Sequence, residues 1–283
     1  MQEFRGIRCK DTTQDYGVFN SISELHQYIT KTKVNETFTR YDRQSRYTNM
    51  NFKIFSMTND FEEACSLLVK GWDKGAKELD QKVEGYFKGS KVTSQSQQTK
   101  RKTIYDVAGY QVSVPRYLNG VPDSMVRTKM IPVKNKILTI NKIMGYRADV
   151  KPQTILDESA KALAIVKRLE DMGYRVNMNV VNLSQGCSRN MLGLKVRIKN
   201  ANERLNISKL AFTMCHPGMM RRIIFGFKEV FPGVSEDFGP GYGASTYELK
   251  HFSEMCKGEY VIPPFIDNSI MNAKELNIES FKV

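Results

Sequence analysis

The sequence is poor in the residues that most often build metal and catalytic centres. Its 283 residues include three histidines and five cysteines, and no two cysteines have the spacing of a zinc site. Neither a Gly-x-Gly-x-x-Gly sequence nor a P-loop occurs, and no cluster of His, Asp and Glu suggests a ligand set. We therefore expect no disulfide framework, no metal, no cofactor and no catalytic residues.

Long hydrophobic runs are missing as well. No apolar stretch approaches the roughly 20 residues that span a bilayer, and charged residues occupy the N-terminus where a signal peptide has an apolar segment. These absences predict a cytoplasmic protein without a membrane partner. The hydrophobic fraction of 41% is sufficient for a globular core in one large domain or two small ones.

The charge balance is strongly basic. Forty-three lysines and arginines against 30 acidic residues give a net charge of +13 and a pI near 9.4. A field of this sign favours a polyanionic partner, which is a nucleic acid, an anionic membrane surface or an acidic protein. The alternative is a basic cytosolic protein whose charge has no specific partner.

Residues 136–183 predict the fold class. They contain an apolar strand, an amphipathic helix from about Thr154 to Met172, and a second alternating strand. Pro152 and Gly173 stand where a helix commonly begins and ends. Two adjacent parallel strands need such a crossover helix. We expect an α/β fold with a mainly parallel twisted sheet and flanking helices.

The rest of the chain divides into three parts by composition. Residues 1–104 are predicted to be mostly helical, with one long helix after Asp60 and a mobile basic loop over 89–102. Residues 105–232 form the α/β core, in which Lys209–Met214 is predicted to be a strand and Met219–Phe231 a helix. Residues 233–283 are rich in Gly and Pro and are expected to pack as a tail on the core or on a partner.

Three basic segments are candidates for contact with nucleic acid. Arginine binds phosphate in a fork, and a tyrosine ring offers a surface for base stacking. The first segment lies between residues 40 and 47 and contains Arg40, Tyr41, Arg43, Arg46 and Tyr47. Alternatively, this segment is a solvated loop whose tyrosines pack back on the core.

The other two segments carry cations without aromatic residues. The polar loop ends in Lys100, Arg101 and Lys102. This basic loop would become ordered on contact with a phosphate backbone. Alternatively, it is a flexible solvated loop without a partner. In a strictly alternating strand, Leu194, Val196 and Ile198 face one side, while the other side carries Lys195, Arg197 and Lys199. That cationic side matches an extended single strand, or else belongs to an edge strand protected against aggregation.

One stretch has the residue spacing of a phosphate-ester hydrolase. Cys215 and Arg221 are separated as in the Cys-x5-Arg loop of tyrosine phosphatases, between a predicted strand and a predicted helix. No histidine precedes the cysteine, and no Ser or Thr follows the arginine. The alternative is a buried cysteine at the end of a strand, which we prefer.

Three stretches resemble an uncharacterised phage-encoded family with a von Willebrand A-like, or Rossmann-like, α/β domain. They are Gly109–Met125, Ala162–Val176 and His216–Arg222, and the similarity covers roughly residues 60–232. The resemblance implies a parallel sheet between helices. It implies no metal-dependent adhesion site, because the loop Met144–Val150 lacks the Asp-x-Ser-x-Ser sequence of metal-binding members.

In size, basicity and lack of catalytic residues, the chain is also similar to the single-stranded-DNA-binding RNA polymerase cofactors of lytic podophages. This similarity implies binding to melted promoter DNA, recruitment of a phage RNA polymerase and a location in the host cytoplasm. Our hypothesis is thus a phage single-stranded nucleic-acid-binding protein, with DNA favoured over RNA. Alternatives are a non-enzymatic interaction or virion component and a Cys215-dependent phosphatase, and a homo-oligomer stays open.

Overall fold

A computed structural model describes residues 3–9, 12–39, 44–88, 99–132, 137–147, 149–232, 238, 241–246 and 248–263. The protein has an α/β fold, as predicted. Among the described residues the strands are β1 (Glu3–Cys9), β2 (Thr12–Phe19), β3 (Thr99–Asp106), β4 (Gln111–Val112), β5 (Met125–Pro132), β6 (Ile137–Ile143), β7 (Arg175–Gln185), β8 (Met191–Lys199), β9 (Ala244–Ser245) and β10 (Tyr260–Ile262).

Helices lie between these strands along the chain. They are α1 (Ile22–Lys31), α2 (Glu36–Thr39), α3 (Met50–Ser56), α4 (Phe61–Lys70), α5 (Asp73–Lys88), α6 (Val114–Leu118), α7 (Pro152–Asp171), α8 (Ile207–Cys215), α9 (Phe225–Val230) and α10 (Leu249–Phe252). A 3₁₀ turn covers Gln44–Arg46, and a π-helical stretch, Met219–Ile224, leads directly into α9.

The central sheet has the strand order β1-β2-β8-β7-β6-β10, with β9 paired to β7. The pairs β2–β8, β6–β7 and β6–β10 are parallel, whereas β1–β2, β7–β8 and β7–β9 are antiparallel. The predicted strand–helix–strand unit is confirmed as β6, α7 and β7, with Ile140 opposite Met178. The crossover helix α7 therefore sets the direction of the two strands beside it.

One face of the central sheet is covered by helices α1, α4, α5, α7, α8 and α9. The strands present alternate apolar residues to this side, and Leu194 and Val196 of β8 are fully buried there, as the alternation predicted. Helix α7 contributes Leu163 and Val166 to the same core. This apolar layer holds the main body of the protein together.

The opposite face of the central sheet is covered by the C-terminal segment 249–262. Phe252, Met255 and Cys256 pack there against Val181 and Leu183 of β7. The segment ends in β10, which joins the sheet beside β6. This part of the predicted tail is therefore an integral element of the fold, because its apolar residues cover the second face of the sheet.

The predicted long helix after Asp60 is two helices, α4 and α5. Gly71 lies between them with φ +99°, a conformation that favours glycine, and a Cβ atom there would collide with Ser208 of α8. Glycine at this position therefore permits the close approach of α8. The prediction of one continuous helix is wrong, because the backbone turns at Gly71.

One further sequence prediction is wrong, the strand over Lys209–Met214. These residues lie in helix α8, which begins after Asn206, where the side chain accepts a hydrogen bond from the amide of Lys209 at 3.1 Å. Strands β1 and β2, for which the sequence shows no periodic signal, precede the helices of the N-terminal part. The long π-helical and α-helical stretch beginning at Met219 is confirmed as helix.

Candidate nucleic-acid interface

A small separate sheet carries several exposed basic side chains and the most exposed tyrosines among the described residues. Its strand order is β3-β5-β4, and helix α6 lies between β4 and β5. We call residues 99–132 the β-arm. The predicted mobile loop over 89–102 is therefore corrected for Lys100, Arg101 and Lys102, which lie in strand β3 because it pairs with β5. Residues 89–98 lie outside the described part of the chain.

The β-arm takes no part in the apolar cores of the body. None of its residues belongs to either core cluster of the described chain. Every hydrogen bond and ion pair described for these residues stays within the β-arm. Between residues 101 and 129, Ser124 alone is buried. A three-stranded sheet usually needs a covered apolar face, so the uncovered β-arm has the character of a binding surface.

One side of the β-arm combines arginines with tyrosines. Arg101 and Tyr105 of β3 point to the same side because they are an even number of residues apart. The guanidinium of Arg116 stacks over the Tyr105 ring at 4.4 Å, and the Tyr110 hydroxyl lies 3.4 Å from that of Thr128 on β5. Tyr105 is 50% exposed and Tyr110 67% exposed. We call this side the tyrosine face.

The other side of the β-arm carries a cluster of cations. Lys102 and Lys129 lie directly opposite each other on β3 and β5. Arg127 is on the same side and pairs with Asp106 at 3.3 Å. Neither lysine takes part in an ion pair among the described residues. The whole β-arm has six basic and two acidic residues, a formal charge of +4.

Exposed apolar side chains occupy the end of the β-arm that contains α6. Val107 is 70% exposed, and the helix presents Val114, Tyr117 and Leu118 to solvent, Leu118 being 77% exposed. Isolated apolar residues are common on protein surfaces, but several within one small element indicate a contact surface.

The predicted cationic row on β8 is not a continuous binding surface. Lys195 and Arg197 face the side covered by the C-terminal segment, but the pairing with β7 shifts between Met178 and Asn179. This β-bulge turns Lys199 to the helix side, where its ammonium group contacts Glu170 at 2.7 Å. The prediction that all three cations share one face is therefore wrong.

The two remaining cations of that row already have partners. Lys195 contacts Glu259 at 2.5 Å and also donates to the carbonyl of Met255. The Arg197 guanidinium donates to the side chain of Asn179, and burial lowers its pKa. Strand β8 thus uses its lysine and arginine to hold the C-terminal segment and the neighbouring strand.

The segment between residues 40 and 47 is described only from Gln44 onward, so Arg40, Tyr41 and Arg43 lie outside the described residues. Arg46 stacks on Phe61 at 3.6 Å and lies 3.5 Å from Glu62. The Tyr47 ring packs 5.7 Å from that of Phe52, and its backbone carbonyl accepts a hydrogen bond from Arg222. Arg46 and Tyr47 follow the alternative reading, in which this segment packs on the body.

Cys215 and Arg221 are not arranged as a phosphate-binding loop. Cys215 is the last residue of helix α8, and burial raises the pKa of its thiol to about 12, which disfavours the nucleophilic thiolate. The Arg221 guanidinium stacks on Phe55 at 3.6 Å and donates to the carbonyl of the same residue. The prediction of a strand before Cys215 is wrong, and both side chains serve the packing of the body.

Sequence reasoning missed much of the β-arm surface. It identified Arg101 and Lys102, but not Lys129, Tyr105 or Tyr110. The alternating cations Arg127 and Lys129 in a short run were the available signal. Their juxtaposition with β3 depends on pairing between strands about 25 residues apart, which the sequence pattern does not specify.

The fold and this surface define a basic α/β protein with a second, small sheet that takes no part in the apolar cores of the described residues. The chain belongs to the family described as "Domain of unknown function (DUF7192)", whose model matches residues 10–280. No curated protein and no solved structure gives a significant match.

Among the described residues, no helix is both long and apolar enough to cross a membrane. No three His, Cys, Asp or Glu residues in the same ranges are grouped as metal ligands.

Proposed function

We propose that the protein binds single-stranded nucleic acid through the β-arm. The observation that carries this proposal is the tyrosine face, on which exposed Tyr105 and Tyr110 lie among Arg101 and Arg116 without an apolar cover. Bases stack on tyrosine rings and on guanidinium planes, while arginines neutralise the phosphates between them. This combination suits an unpaired strand, whose bases are accessible, better than a duplex.

The cations on the other side of the β-arm extend the electrostatic attraction. Lys102, Arg127 and Lys129 add positive charge within the same small sheet. They can hold the backbone of a nucleic-acid strand that continues past the outer edge of β3. Among the described residues, no further β-strand pairs at that edge. We favour DNA over RNA as the bound strand because of the similarity in general character to single-stranded-DNA-binding phage proteins.

The direct test measures fluorescence anisotropy of labelled single-stranded DNA, single-stranded RNA and duplex DNA over a salt series. We expect single strands to bind more tightly than the duplex and affinity to fall as salt rises. Tyr105→Ala combined with Tyr110→Ala should weaken binding by about 1–3 kcal/mol for each stacked base. Arg101→Ala should weaken binding for all sequences and lower the salt dependence.

A matched control is Tyr86→Ala, which removes an exposed tyrosine from helix α5 of the body, where Tyr86 is 39% exposed. This variant should bind as the wild type does. Equal loss in the control, or unchanged affinity in the Tyr105 and Tyr110 variant, would remove the β-arm from the proposal.

The proposal extends to phage transcription in the host cytoplasm. In this role the protein binds melted promoter DNA and recruits a phage RNA polymerase. Its support is the overall charge of +13 together with the uncovered β-arm. Promoter-dependent transcription in vitro, with and without the protein, tests the role. Stimulation that requires Tyr105 and Tyr110 supports it, and polymerase activity unaffected by the protein contradicts it.

A second candidate function is a non-enzymatic interaction or virion component. The exposed apolar residues Val107, Val114 and Leu118 favour it, because they could pack on an apolar surface of another protein. Val114→Asp combined with Leu118→Asp should then abolish co-purification with that protein. If the same variant still binds oligonucleotides, the apolar residues serve the protein interaction and not nucleic-acid binding.

A further inference from the structure

A polar cavity of about 380 Å³ lies at the carboxyl ends of two parallel strands. Strands β2 and β8 are paired in parallel, with Phe19 opposite Val196. Each strand leads into a helix on the same side of the sheet: α1 follows β2, and α8 follows β8. The lining comes from these strand ends and from the first residues of both helices. In open α/β sheets, ligands commonly bind outside the carboxyl ends of parallel strands.

The charged residues that line this cavity are mostly cationic. Four basic residues, Arg197, Lys199, Arg204 and Lys209, line it together with one acidic residue, Glu203. Arg204 and Lys209 are exposed and take no part in the ion pairs of the described residues. They therefore remain able to bind an anion, whereas the ammonium group of Lys199 is held by Glu170.

The acidic residue of the lining is already engaged. The Glu203 carboxylate accepts hydrogen bonds from the backbone amide and side-chain amide of Asn200, at 3.1 and 2.9 Å. These bonds hold the carboxylate within its own loop, residues 200–206. With Lys199 paired to Glu170, three cations of the lining remain against this one carboxylate, so the electrostatic preference of the cavity is for a negative ligand.

Hydrogen-bond donors complete the lining. Ser21 and Ser23 are in the wall, at the start of α1. The Ser21 hydroxyl caps the helix by accepting from the amide of Glu24 at 3.1 Å. The hydroxyl of Ser23 and the side chains of Arg204 and Lys209 can donate to several oxygens of one ligand group. A tetrahedral oxyanion meets these donors better than a single carboxylate does.

We propose that this cavity binds the phosphate group of a phosphate monoester, with Arg204 and Lys209 as its principal cationic contacts. The volume lies within the range of small-molecule sites and exceeds what inorganic phosphate alone needs, so a nucleoside monophosphate fits. The same chemistry is offered by the phosphorylated end of a nucleic-acid strand. This inference does not depend on the β-arm, which shares none of the residues that line the cavity.

The test is calorimetric titration of the full-length protein with deoxyadenosine monophosphate and, as a probe without phosphate, deoxyadenosine. We expect binding of the monophosphate and none of the nucleoside. Arg204→Gln combined with Lys209→Gln should lower the affinity for the monophosphate at least tenfold, because charge-assisted hydrogen bonds are lost. The control Arg175→Gln combined with Lys257→Gln removes two exposed cations elsewhere and should leave the affinity unchanged.

Two further measurements are needed. One distinguishes a strand end from a free nucleotide as the source of the phosphate, and the other distinguishes the cavity from the β-arm. A strand end is the ligand if a short oligonucleotide with a 5′-phosphate binds more tightly than its 5′-hydroxyl form. This difference should be lost in the Arg204 and Lys209 variant. Equal binding of both forms, beside binding of the monophosphate, identifies a free nucleotide. Tyr105→Ala combined with Tyr110→Ala should not change monophosphate affinity. Absent binding of the monophosphate, or equal binding by the Arg204 and Lys209 variant, overturns the inference even if the β-arm binds nucleic acid.

Discussion

Lys102 and Lys129 occupy directly opposite positions on the antiparallel strands β3 and β5. Their Cβ atoms are therefore about 5 Å apart, and like charges at such positions destabilise a sheet by a few tenths of a kcal/mol or more. Neither lysine has an ion-pair partner among the described residues. A repulsive pair in a small sheet without an apolar cover is consistent with a surface whose charge is neutralised by a bound polyanion.

Replacing one of these lysines by an acidic residue should raise the stability of the β-arm and lower its affinity for nucleic acid. In Lys129→Glu the opposite pair becomes attractive, and we expect the β-arm to become more stable by about 0.5 kcal/mol. Affinity for single-stranded DNA should fall, because a cation is lost and an anion is introduced. Hydrogen exchange of the β-arm amides and anisotropy titration measure the two effects.

The control for this prediction is Lys77→Glu, which makes the same charge change at an exposed position of α5. It should reduce affinity far less, since it alters only the distant field of the protein. Similar losses in the two variants would show that overall charge, and not the β-arm, determines binding.

Arg222 should be one of the most sensitive positions for stability. It is fully buried, and its guanidinium donates to the carbonyls of Ser45, Tyr47 and Thr58 and stacks on Phe52 at 4.6 Å. Arg222→Met removes the hydrogen bonds that these buried carbonyls accept from the guanidinium, so we expect a loss of about 3 kcal/mol or more in the free energy of unfolding. Urea denaturation measures this loss.

An exposed arginine provides the comparison for Arg222. Arg175 begins β7, and Arg175→Met should change the free energy of unfolding by less than about 0.5 kcal/mol. If the two methionine variants unfold at the same urea concentration, the guanidinium of Arg222 does not connect the segments that it contacts.

Lys228 should make stability rise with pH above neutrality. Its ammonium group is buried, donates to the Ser184 hydroxyl at 2.5 Å and to the Tyr242 carbonyl at 3.0 Å, and has its pKa lowered to about 7 by burial. In the unfolded chain the pKa is about 10.4. Between these values the unfolded state binds more protons, so the free energy of unfolding increases with pH.

The comparison is Lys228→Met, which cannot titrate. From pH 7 to pH 8.5 the wild type should gain up to about 1.4 kcal/mol per pH unit relative to this variant, as measured by urea denaturation. Parallel stability curves for the two proteins would mean that Lys228 keeps an ordinary pKa in the folded state.

The sequence specified the parts of the fold that depend on local pattern. The β6–α7–β7 unit was predictable because its helix has one apolar stripe between Pro152 and Gly173. Helix α8 was not, because its residues from Leu210 to Cys215 are all buried, and a segment that is apolar on every side does not distinguish a helix from a buried strand.

The candidate site was less predictable than the fold. Strand β3 has few apolar residues, so its cations were assigned to a loop, and only the pairing with β5 makes it a strand. On β8 the predicted alternation of apolar and cationic side chains is observed up to Arg197. The β-bulge beyond Arg197 directs the Lys199 side chain toward α7. Pairing and bulges arise from contacts between distant segments and leave little local trace in the sequence.

His216 should make the protein lose stability on acidification. The imidazole lies 4.7 Å from the Trp72 ring and 5.1 Å from that of Phe212, its Nδ1 accepts from the Gly218 amide at 3.0 Å, and burial lowers its pKa to about 4. Because the unfolded histidine binds a proton near pH 6.5, up to about 3 kcal/mol should be lost between pH 6.5 and 4. Urea unfolding followed by Trp72 fluorescence measures the change, and His216→Asn, which can still accept from Gly218, should show a shallower pH dependence. Equal slopes in both proteins would show that the carboxylates alone cause acid denaturation.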